Sequence, residues 1–102
     1  MKRYNVELFV IVPTACLHVP EVEDALKAIT VRAGGVTITE TRGMWYDDDG
    51  NEHYDRGSRY SWCMNTSDRN HLGVLRPLEE AMKAAGEKAV TFGARTLAAY
   101  IV

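Results

Sequence analysis

The stretch GGVTITETRGMWYDDDGNEHYDRGSRYSWCM, residues 34–64, decides the fold. It opens on Gly34-Gly35, a pair suited to the left-handed stop of a preceding helix. Val36, Thr37, Ile38, Thr39 and Thr41 then make a β-branched run that fits a pleated surface, and predict a strand over Val36–Tyr46. Asp47-Asp48-Asp49-Gly50-Asn51 reads as a turn, because Asp-Gly takes the positive φ that a tight hairpin demands. A partner strand is expected from about Glu52 to Met64. Gly57 inside it marks a bulge or a close approach by another backbone. Past that glycine, Ser58, Tyr60, Trp62 and Met64 share one face, and Arg59, Ser61 and Cys63 the other.

Toward the N-terminus, Pro20–Ala33 predicts a helix. Proline is tolerated in its first turn, and Glu21, Glu23 and Asp24 sit at the positive end of its dipole. Val22, Leu26 and Ile29, with Ala25 and Ala33, form its apolar stripe. Tyr4–Val12 predicts a central strand, with Val6, Leu8, Val10 and Val12 on one face and Phe9 and Ile11 on the other, stopped by Pro13. Toward the C-terminus, the cap-rich Asn65–Asn70 introduces a second helix with the stripe Leu72, Leu75, Leu78, Met82 and Ala85. Pro77 kinks it or delays its regular part, and Gly86 closes it. Ala89–Phe92 and Leu97–Val102 read as two strand pieces around Gly93-Ala94.

The order is β-α-β-β-α-β, which predicts an α+β, ferredoxin-like sandwich spanning residues 1–102 as one domain, with an antiparallel sheet and two helices on one face. Such a sheet leaves its other face bare. Phe9, Ile11, Tyr60 and Trp62 are candidates to face outward there, and the chain has no spare element to cover them. A homo-oligomer is the expected answer.

Composition narrows the function. The chain has 102 residues, 46% of them hydrophobic and 25% charged, with a net charge of −2, so a packed core is expected and a disordered tail is not. There is no basic excess to neutralise a nucleic-acid backbone, and no apolar run approaches the ~20 residues of a membrane span. The start is basic, but Glu7 interrupts the apolar run that follows and no small-residue cleavage site appears, so no signal peptide is expected. Two cysteines, Cys16 and Cys63, make no disulfide framework; free thiols in the cytoplasm are the expectation.

The run from Gly34 to Trp45, Gly-Gly, then β-branched residues, then Gly43-Met44-Trp45, resembles the PII-like superfamily of trimeric ferredoxin-like proteins. That resemblance implies a homotrimer binding a small adenosine-containing ligand, often an adenine nucleotide, in the clefts between subunits. It also implies that the loop from Trp45 to Arg59 covers the cleft. This loop is shorter than the signalling loop of PII proteins and lacks their modifiable-tyrosine sequence. A narrower similarity is to small phage S-adenosylmethionine lyases, carried by Gly43-Met44-Trp45, Asp55 and Cys63, with aspartate standing where that family would have glutamate. It implies release of methylthioadenosine and homoserine lactone. CutA-type trimers are a more distant likeness.

Candidate residues cluster in the hairpin. Asp47, Asp48, Asp49, Glu52 and Asp55 suit a hard cation or a general base, and equally a solvated turn. Their spacing departs from a calcium loop at its sixth and twelfth places. Glu52 and Asp55 are the catalytic candidates, one of them near a sulfonium. Trp45 or Tyr46 would line the pocket, in the most aromatic part of the chain, although aromatic residues on strands also serve sheet packing or an oligomer interface. Arg42 or Arg95 would meet the ligand's polar end, as a guanidinium fork suits phosphate or carboxylate; pairing with the nearby acids is the other use of such arginines. Cys16, His18, His53, Cys63 and His71 show no zinc spacing, and neither a nucleophile elbow nor a phosphate loop is present, so no metal or cofactor is expected. The acids disfavour nucleic acid despite the aromatic and arginine residues. A small protein-binding or inhibitory module is the remaining reading, with the exposed sheet as its contact.

Overall fold

The computed structural model describes residues 2–66 and 71–101. Its elements run β1 (Lys2–Pro13), a 3-10 turn (Thr14–Cys16), α1 (Pro20–Ala33), β2 (Thr37–Tyr46), β3 (Glu52–Met64), α2 (His71–Ala84) and β4 (Phe92–Ile101). The strands make one antiparallel sheet in the order β2-β3-β1-β4, with both helices packed on one face. This is the ferredoxin-like α+β arrangement expected from the order of elements.

Local chemistry explains the bounds. Pro20 opens α1, where its missing N–H costs nothing, and Glu21 and Glu23 occupy the first turn. Gly34 ends the helix at φ 86°, its N–H donating to the Thr30 carbonyl. Val22, Leu26 and Ile29 of α1 meet Val6, Leu8, Val10 and Val12 of β1, and Leu75, Leu78 and Met82 of α2 complete the core.

Three sequence expectations are corrected. Trp62 does not face outward: it is 0% exposed in the middle of the core, and its indole N–H donates to Thr30 Oγ1 at 3.0 Å. Alternation with Met64 turns it toward the helices, and Tyr60 turns the same way, packed against the core. Phe9 and Ile11 do lie on the opposite face. Second, β4 is one strand through Gly93-Ala94 rather than two pieces. Gly93 sits opposite Phe9, and a Cβ there would lie 2.8 Å from the Phe9 ring, so this glycine admits a ring and interrupts nothing. Third, Leu72 is 55% exposed and Val74 takes its place in the core, and the helix ends one residue before Ala85. α2 continues through Pro77.

Gly57 is a close approach. A Cβ would stand 2.7 Å from the Val12 carbonyl oxygen, while the β2–β3 register passes Gly57, and the β1–β3 register ends at it, without a shift. Asn65 bonds back to β1, accepting from the Asn5 N–H at 3.0 Å and donating to the Arg3 carbonyl at 2.9 Å. Residues 67–70 of the cap-rich stretch lie outside the described residues, as does Val102.

What positions the site is the unequal length of the strands. β1 pairs β3 only from Met64 back to Gly57, so the residue pairs from Arg42–Arg56 to Tyr46–Glu52 stand beyond the last residue of β1. This two-stranded ribbon reaches about 17 Å past the sheet body at ~3.4 Å per residue, in a molecule measuring 50 × 26 × 25 Å.

Candidate functional site

Side chains alternate along the ribbon, so the register assigns each candidate to a face. Trp45 and Asp55 lie on the open face, the side away from the helices, in line with Thr39, Thr41, Arg59 and Phe9. Tyr46, Glu52 and Arg42 lie on the helix-side face. Arg95 pairs across from Glu7 and is again on the open face. The sequence reading offers each role to two residues, and the sheet separates every such pair. Asp55, Trp45 and Arg95 share one face; Glu52, Tyr46 and Arg42 share the other.

On the open face the ribbon carries a connected cluster. The Trp45 indole N–H donates to Asp55 Oδ2 at 2.8 Å. Its ring stacks on His53 at 4.3 Å between centroids and 15° between planes. His53 Nε2 lies 2.9 Å from Asp47 Oδ2. Asp47 Oδ1 in turn accepts the backbone N–H groups of Asp49 at 3.0 Å and Asn51 at 2.8 Å, an Asx clasp on the turn that Gly50 completes at φ 81°. The hydrogen bond with His53, and then the one from the Asn51 backbone, hold the Asp47 carboxyl below its ordinary value. The chain Asp55–Trp45–His53–Asp47 thus fixes the indole while leaving it 49% exposed. In sequence, His53 stands only among the residues without zinc spacing. The missed signal is its period-2 spacing to Asp55, directly across from Trp45.

On the helix-side face, the Tyr46 hydroxyl donates to Glu52 Oε1 at 3.1 Å. Among the described residues, Arg42 and Arg56 make no ion pair or hydrogen bond through their side chains.

The far end of the open face is organised by Glu7. Its Oε1 accepts from Arg59 at 3.2 Å and lies 3.5 Å from Arg95 Nη2, while Oε2 accepts from the Ser61 hydroxyl at 3.2 Å. Arg59 also stands over the Phe9 ring at 4.6 Å. From Asp55 to Cys63, the residue across from Glu7, is about 27 Å along β3. Within one chain, Arg95 therefore does not join Asp55 and Trp45.

Two hollows flank the start of β2, and none of the six candidate residues lines either. One, about 240 Å³, is bounded by Tyr4, Gly34, Gly35, Thr37, Ser61 and Cys63. The other, about 600 Å³, lies between α1 and the sheet, with Leu17, Leu26, Val31, Val36 and Tyr60 as its apolar walls. Among the described residues no three His, Cys, Asp or Glu side chains converge on a metal position, and no helix is long and apolar enough to cross a membrane. Cys16 is buried, its thiol raised by burial and by the Glu87 carboxylate, to which it donates at 3.5 Å. Cys63 is a free thiol.

The chain matches no protein-family model, and no curated protein matches it in sequence. Solved structures do share its fold. A phage SAM lyase in complex with S-methyl-5'-thioadenosine aligns with a TM-score of 0.60 at 17% identity, over 90% of this chain and 81% of that one. The periplasmic divalent cation tolerance protein CutA from Archaeoglobus fulgidus aligns with a TM-score of 0.58 at 11% identity, over 94% of this chain and 84% of that one. A Bacillus cereus protein related to NIF3 also gives 0.58, at 18% identity, over 95% of this chain but only 27% of its own length. At these identities the likeness is one of fold.

Proposed function

We propose that the protein is a PII-like homotrimer that binds a small adenosine-containing ligand, an adenine nucleotide or S-adenosylmethionine, in clefts between neighbouring subunits. One observation carries the reading: the Trp45–Asp55 pair is held by hydrogen bonding and stacking on the open face of a ribbon that runs past the last residue of β1. A two-stranded ribbon is marginal alone, so a neighbour that covers it both stabilises it and closes a pocket over the indole. The hollow at Gly35, Thr37, Ser61 and Cys63 supports the same arrangement. At about 240 Å³ it falls below the ~300–1,000 Å³ of small-molecule sites, and a second subunit would complete it. In this reading Trp45 stacks the ligand, Asp55 faces its positive or hydrogen-bonding groups, and Arg95 reaches its anionic end from the adjacent protomer. Glu52, Tyr46 and Arg42, on the other face, stand outside that cleft. Light scattering with thermal-shift titrations of ATP, ADP, AMP and S-adenosylmethionine tests it. A trimer stabilised by at least one of these is expected; a monomer would sink the reading.

The second reading is S-adenosylmethionine lyase activity, favoured by an indole face beside a carboxylate, an arrangement that holds a sulfonium cation. The substrate's own carboxylate oxygen attacks its γ-carbon, the carbon–sulfur bond breaks, and its electron pair stays on sulfur. Methylthioadenosine and homoserine lactone result, with no proton lost. Asp55 Oδ2 is occupied by the Trp45 N–H, which leaves Oδ1 toward the sulfonium. The protein's task is positioning. Chromatography of S-adenosylmethionine incubated with protein should show methylthioadenosine above a blank, and Asp55→Asn should lower its rate about tenfold or more. Full turnover by that variant would remove Asp55 from the role.

A further inference from the structure

The strand register sets Arg42 directly across from Arg56 on the helix-side face of the ribbon. Directly opposed residues hold their Cβ atoms about 4.5–5.5 Å apart, and like charges so placed destabilise the sheet. Both side chains are exposed, and among the described residues neither guanidinium has a protein partner. This is not for want of carboxylates. Asp47 is held by His53, Glu52 by the Tyr46 hydroxyl, and Asp55 lies on the opposite face with Trp45. Asp48 and Asp49 belong to the turn. Glu40, one cross-strand pair along on the same face, forms no ion pair with either arginine. The next pair in the other direction is Met44 and Tyr54, 55% and 71% exposed. Two guanidinium forks without a described partner therefore stand beside an exposed phenol ring.

We propose that Arg42 and Arg56 form an anion site that takes a phosphate monoester, with the Tyr54 ring stacking on a planar group that the phosphate carries. Charge and geometry select that class. One carboxylate has two oxygens and is saturated by a single guanidinium fork. A phosphate monoester brings three terminal oxygens and nearly two negative charges, enough for both forks, and neutralises the repulsion between them. The site lies on the face turned away from Trp45 and Asp55, and does not rest on the adenosine reading.

The test uses inorganic phosphate and phenyl phosphate, neither of which carries adenosine, in thermal melts and calorimetric titrations at an ionic strength matched with chloride. The unaltered protein should melt higher in phosphate than in matched chloride, and phenyl phosphate should bind more tightly than phosphate. Arg42→Gln and Arg56→Gln should each raise the melting temperature in low-salt chloride, because one like charge is gone. Each should also weaken phosphate binding about tenfold or more. Tyr54→Ala should bring phenyl phosphate down to the affinity of phosphate. Glu40→Gln should strengthen phosphate binding. A phosphate melt no higher than chloride would overturn the proposal, and so would a phosphate increment that survives both arginine substitutions.

Discussion

The two tryptophans sit in one hairpin and have opposite fates. Trp62 lies where β3 pairs with β1, one residue past the end of its pairing with β2, and is roofed by α1 and 0% exposed; Trp45 lies where β2 has β3 alone for company, and is 49% exposed. Each indole N–H is nevertheless satisfied, one by Thr30 and the other by Asp55. In the core that hydrogen bond removes the cost of burying a polar group. On the ribbon there is no such cost to remove, because water would serve as well. Fixing an exposed indole with a carboxylate and a stacked imidazole instead holds one surface geometry, which is what recognition requires.

The widest gap between the two regions should appear in urea unfolding. Trp62→Ala should lose about 3–5 kcal/mol, the range for emptying a large aromatic site in a packed core. A loss below 1 kcal/mol would mean that the helices do not roof β3 as described. Gly57→Ala should follow at about 1–3 kcal/mol, since the added carbon meets a backbone oxygen that cannot swing aside. A neutral result would show that β1 and β3 separate easily at the root of the ribbon.

Much of this contrast is legible in the sequence, and the rest is absent for physical reasons. The bounds of α1 follow from Pro20 and Gly34, and the hairpin from Asp47 to Asn51, because these are local constraints on φ and on hydrogen bonding. The inward turn of Trp62 is a different matter. Alternation places it with Tyr60 and Met64 but does not say which face the helices take; only the three-dimensional packing does. The same blindness left the candidate site as three either-or pairs, each of which the sheet divides between its faces. Gly93 misled for a related reason. A glycine that breaks a strand and one that admits a neighbouring ring look alike until Phe9 is seen across from it.

Smaller effects sharpen the ribbon side. The Asp47 carboxyl is held below its ordinary 3.8, chiefly by His53 and then by the Asn51 backbone. A depressed carboxyl contributes stability that is present above the unfolded value and lost as pH falls through the folded one. The turn should therefore loosen below about pH 4, read as collapse of the Asp49 and Asn51 amide shifts, and Asp47→Asn should abolish that step. An unchanged transition in the variant would assign it to another group. Smallest should be the stability cost of Trp45→Ala, within about 0.5 kcal/mol in dilute protein, as for other surface changes. The same variant should lose the thermal response to adenosine ligands. A large stability loss with ligand response intact would reverse the roles given to the two indoles.

The ribbon also has a consequence for how the chain can be cut. No lysine or arginine occurs from Gly43 to Asp55, so Arg42 and Arg56 bracket the hairpin tip as its two tryptic bonds. Because they face one another across the strands, trypsin acting on a lone subunit would release residues 43–56 as a single peptide and leave the sheet body standing. Assembly that buries the ribbon would withhold both bonds at once. Limited digestion at several protein concentrations therefore reports directly on whether a neighbour lies over it.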